Sequence, residues 1–81
     1  MPKPRVLNGQ EIVRIFEGFG FSIVDQHGSH IKLRRVAWGN VRETLTVPNH
    51  KELDRGTVVS IFKQASRYIS ESELREYFYS E

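Results

Sequence analysis

Apolar residues recur at Ile12, Ile15, Phe16 and Phe19, the i, i+3, i+4, i+7 stripe of an amphipathic helix. Asn8 and Glu11 have the spacing of an N-cap and its reciprocal acid, and Gly18 and Gly20 mark the end. Ahead of them, Met1 to Val6 holds two prolines and reads as an extended lead-in. After the helix the period changes. Phe21 to Gln26 is β-branched and aromatic enough for a strand, and Gly28 breaks it. From His30 to Arg34 polar and apolar residues alternate, which sets Ile31 and Leu33 on one face and His30, Lys32 and Arg34 on the other. Trp38, Gly39 and Asn40 form a turn, and Thr44 to Val47 a third strand stopped at Pro48. The helical stripe returns at Val58, Ile61, Phe62 and Ala65, with Asp54 or Thr57 as the cap. Ser70 and Glu73 are spaced as a capping box for a last helix that turns Leu74, Tyr77 and Phe78 inward. The order α-β-β-β-α-α predicts an α+β fold: a three-stranded antiparallel meander with its helices on one face.

With 81 residues, no internal repeat and no linker composition, the chain is expected to form one domain over residues 1–81. It has no cysteine, so the core must come from the patterned apolar residues alone. No apolar run approaches the length of a membrane span, and no signal-peptide pattern is present, so a cytoplasmic protein without membrane contact is expected. The formal charge is only +2, but it is unevenly placed. From His27 to Arg42 the chain carries Lys32, Arg34, Arg35 and Arg42 without an acid, while its end is rich in glutamate. A local basic segment in a near-neutral chain suits phosphate binding; strand-edge protection explains one or two such charges but not all of them.

Within that segment His30 is the candidate for chemistry. An imidazole titrates near neutrality, so it can take a proton from a ribose 2′-hydroxyl or return one to a leaving oxygen. Lys32 and Arg34 beside it would stabilise the extra negative charge of a phosphorane. Gly28 and Ser29 supply a turn whose backbone N–H groups and hydroxyl could hold a phosphate oxygen. His27 lies close enough to be a second acid or base, whereas His50 suits a role in fixing the loop before the second long helix. The histidine spacings fit no zinc signature and no carboxylate cluster accompanies them, so neither a metal nor another cofactor is expected. Trp38, among arginines at a turn, either stacks on an unpaired base or folds over the sheet edge. Phe16, Phe19, Phe21 and Phe62 are core by their spacing. These residues suit an RNA-cleaving enzyme, a non-catalytic RNA-binding module, or a protein-interaction domain that docks through its acidic C-terminal helix.

Several short pieces, taken in order, carry a resemblance. Gly20-Phe21, Gly28-Ser29-His30, Val47-Pro48 with His50, Arg55-Gly56-Thr57, and Ile61 with Lys63-Gln64-Ala65 together resemble the HicA (YcfA-like) toxin family from about residue 8 to residue 66. The resemblance implies a metal-independent endoribonuclease of a type II toxin–antitoxin pair that cuts messenger RNA. It implies a fold like the double-stranded-RNA-binding domain, a catalytic histidine at the Gly-Ser-His motif (His30 here), and a HicB-type antitoxin covering the active face. Gly28, Ser29, Lys32, Arg34, Arg35 and Trp38 are the expected RNA contacts. After Ala65 the family often places a glycine; this chain has Ser66, Arg67 and Tyr68 instead.

Overall fold

The computed structural model describes residues 2–80. A short strand, β1 (Lys3–Pro4), precedes helix α1 (Gly9–Gly18). The α1 cap is the one its sequence prescribes: the Asn8 side chain accepts the Glu11 N–H at 2.8 Å, and Glu11 accepts the Asn8 N–H at 2.9 Å. Gly20, at φ 95°, turns the chain out of the helix in a conformation that side chains disfavour. Strands β2 (Ser22–His27), β3 (His30–Val36) and β4 (Arg42–Pro48) then form an antiparallel meander in the order β2-β3-β4. Helices α2 (Arg55–Ala65) and α3 (Glu71–Phe78) follow, and β5 (Tyr79–Ser80) ends the described residues.

This is the expected α+β fold with a three-stranded antiparallel sheet and three helices. One face of the sheet is buried: Ile31, Leu33, Leu45 and Val47 meet Ile12, Val13 and Phe16 of α1, Val58, Ile61 and Phe62 of α2, and Leu74 and Phe78 of α3 in one core. Phe16, Phe21 and Phe62 join that core as their spacing requires, while Phe19 is only partly buried and meets Tyr77 edge-on at 5.5 Å. Tyr77, expected inward, is 45% exposed, because Leu74 and Phe78 already fill the inner stripe of α3.

One further expectation is corrected. Ser70 is the N-cap of α3, but its hydroxyl pairs with Ser72 at 2.9 Å and caps no backbone N–H. The lead-in is extended as expected at Lys3–Pro4, where it is also paired: β1 lies antiparallel to β5, with Lys3 opposite Ser80 and Pro4 opposite Tyr79.

Candidate active site

The turn at Gly28-Ser29 joins β2 to β3 and sets His27 directly opposite His30. Gly28 has φ 57°, and a Cβ built there meets nothing within 4 Å, so backbone conformation rather than close approach selects glycine. The turn is anchored from outside the hairpin. Ser29 C=O accepts the N–H of Asn49, just beyond β4, and the Asn49 side chain accepts from Gln10 of α1 at 2.8 Å. Gly9 N–H bonds His50 C=O at 3.0 Å, so the start of α1 is tied to the same loop. His50 thus holds its loop as expected, but through its carbonyl; its ring is exposed and has no hydrogen bond among the described residues. A Cβ on Gly9 would collide with Pro48 O, so only glycine allows the helix this close to β4.

From that turn β3 runs with His30 and Lys32 exposed and Arg34 half-buried, alternating with the buried Ile31 and Leu33. The sheet face away from the helices therefore presents His30, Lys32 and Arg34 in a row. Across β4 the row meets Pro48, Thr46 and Thr44, none of them charged. Neither His30, Lys32 nor Arg34 has a side-chain hydrogen bond or ion pair among the described residues, and the Arg34 Nε is covered without a partner.

Arg35 does not belong to this row. Alternation turns it to the helix side, where it donates to Phe19 O and Tyr68 O, each at 2.9 Å, and to Glu43 at 2.7 Å. Its guanidinium also lies 4.7 Å from the centre of the Phe21 ring. All of its directed contacts hold the fold together, so the expected RNA contact at Arg35 is withdrawn. The run from His27 to Arg42 is also not free of acids in space: Asp25 stands opposite Lys32, and Glu43 opposite Arg35.

Trp38 lies in the short turn Trp38–Asn40 between β3 and β4 and is 97% exposed, so it does not fold over the sheet edge. His27, also exposed, places its Nε2 3.0 Å from the Asp25 carboxylate. Asp25 was not among the sequence candidates, although its two-residue spacing from His27 is the strand period. A groove between β4 and α2, lined by Thr46, Asp54, Thr57, Ser60 and Gln64, contains none of the candidate residues. Among the described residues no three His, Asp or Glu side chains converge as metal ligands would, and no helix is long and apolar enough to cross a membrane.

The arrangement offers an open cationic strip with an imidazole at one end. Such a strip can receive an extended polyanion and exchange a proton with it. A protein-family model described as the HicA toxin of bacterial toxin-antitoxin matches residues 9–66, which takes in α1, the whole meander and α2. No curated protein and no solved structure matches the chain.

Proposed function

The chain belongs to the HicA toxin family of toxin–antitoxin systems, and from that premise we propose that it is an endoribonuclease that cuts messenger RNA in the cytoplasm. The observation that carries the reading is the exposed row of His30, Lys32 and Arg34 beside the Gly28-Ser29 turn. In this reading a ribose 2′-hydroxyl attacks the adjacent phosphate, and His30 exchanges the proton. Lys32 and Arg34 hold the phosphate and offset the charge gained as the phosphorane forms. The Gly28-Ser29 turn positions a phosphate oxygen, and Trp38 stacks on an unpaired base further along the strand. No step needs a metal. A HicB-type antitoxin silences the toxin by covering this face.

Expression in bacteria tests the proposal. The wild-type chain arrests growth and depletes messenger RNA, a His30→Ala copy at equal level does neither, and co-expressed antitoxin relieves the arrest. Growth arrest by His30→Ala overturns the assignment. Binding of RNA by the purified chain without cleavage would instead make it a non-catalytic module.

A further inference from the structure

Strand β2 departs from simple alternation at one place. Counting from the buried Phe21, an unbroken strand would turn Ile23, Asp25 and His27 toward the helices. The register shifts between Ile23 and Asp25: Ile23 pairs with Leu33, but Asp25 pairs with Lys32, leaving Val24 as the extra residue of a bulge. A slip of one residue sends every later side chain to the opposite face. The bulge therefore moves Asp25 and His27 onto the open face, where His27 becomes the cross-strand partner of His30. Directly opposed residues have Cβ atoms about 4.5–5.5 Å apart, so the two imidazoles can flank one phosphodiester. The Asp25 carboxylate is itself fixed: Oδ1 accepts the Gln26 N–H at 2.8 Å, and Oδ2 lies 3.0 Å from His27 Nε2.

We propose that His27 is a second catalytic residue, the proton donor to the leaving oxygen, with His30 as the base. The inference rests on the ribonuclease reading above. His30 takes the 2′-hydroxyl proton as the 2′-oxygen forms its bond to phosphorus. The bond from phosphorus to the 5′-oxygen breaks, and that oxygen receives the proton of His27 Nδ1. The products are a 2′,3′-cyclic phosphate and a 5′-hydroxyl, so no water or metal enters the balance. Asp25 acts through His27 as a positioning residue: its carboxylate stands 3.0 Å from Nε2, which leaves Nδ1 as the nitrogen for the substrate. At the neighbouring strand positions of this face the charged groups are Asp25 on β2 and Lys32 on β3, and Pro48 and Thr46 on β4 are uncharged.

A general acid matters only when the leaving group needs a proton. The test compares the purified full-length wild type, His27→Gln and His30→Ala on two RNA oligonucleotides. One has ordinary linkages; the other carries a single 5′-bridging sulfur, which departs as a thiolate unaided. His27→Gln should cut the ordinary linkage about 10²-fold or more slowly and the sulfur linkage near the wild-type rate, while His30→Ala is slow on both. The wild-type rate should rise and then fall with pH, and His27→Gln should lose the alkaline fall. Wild-type speed of His27→Gln on the ordinary linkage, or an equal loss on both substrates, overturns the role of His27 and leaves the ribonuclease reading standing. A wild type that cuts neither substrate overturns both.

Discussion

At the scale of single residues, adjacent arginines have opposite duties. Arg34 and Arg35 look alike in the sequence, but the strand period turns one to the open face and the other to the core. Arg35 satisfies two backbone carbonyls and the mostly buried Glu43, so its loss takes from all three the side-chain partner they have among the described residues. Arg35→Ala should destabilise the fold by about 3 kcal/mol, since charged hydrogen bonds and a mostly buried ion pair go together. In thermal unfolding that is a drop of about 10 °C or more, and Arg35→Lys should recover little of it because the planar fork is lost. Lys32→Gln should do the reverse: an unchanged melting temperature, weaker RNA binding, and a salt slope reduced by about 1. A melting temperature unmoved in Arg35→Ala would contradict the assignment. His30 and its row were legible because alternation is a local pattern. The burial of Arg35 was not, because its acceptors Phe19 and Tyr68 are 16 and 33 residues away in the chain.

At the scale of elements, helix caps and close approaches decide which substitutions matter. Gly9 lies in the first turn of α1, where alanine ordinarily stabilises a helix by about 0.5–1 kcal/mol relative to glycine. Here a Cβ would strike Pro48 O, so Gly9→Ala should instead destabilise, by about 1–3 kcal/mol in chemical denaturation. A stabilised Gly9→Ala would show that α1 is free to shift. Asp54 caps α2: the Thr57 N–H bonded to it at 2.7 Å, followed by the Thr57 side chain, holds its carboxyl below the usual carboxylate range. Because the folded value is the lower one, the charged cap contributes stability above the ordinary carboxylate pKa and loses it as pH falls through the lowered value. Asp54→Asn keeps a capping group that does not titrate, so wild type should lose stability relative to this variant as the solution is acidified. A difference independent of pH would contradict that. The α1 cap was readable because Asn8 and Glu11 need only each other. The Ser70 and Glu73 spacing was misleading because the Ser70 hydroxyl finds Ser72 instead. The bulge in β2 was also hidden, for Ile23 and Val24 are both β-branched and nothing in their order marks the extra residue.

At the scale of the whole molecule, the helical and strand periods made the α-β-β-β-α-α order legible, and the meander followed from short connections. What they could not show was the pairing of the two ends of the chain, since β1 and β5 meet across nearly its full length. The result is a domain with a covered face and an open one: helices fill the first, and the His30 strip lies on the second, with exposed Trp38 in the turn at the end of β3. The matched family and the open strip together support the proposed RNA cleavage by His30. Its ring is exposed and bonded to nothing else among the described residues, so removing it should alter stability by no more than about 0.5 kcal/mol. Removing a general acid or base costs about 10²–10⁴ in rate, far beyond that structural effect. The most direct test is therefore the rate of RNA cleavage in EDTA by purified wild type and His30→Ala of matched melting temperature. The wild type should cleave, and the variant should lose at least about 10²-fold in rate with RNA binding retained. Equal cleavage by the two proteins would overturn His30 as the catalytic residue.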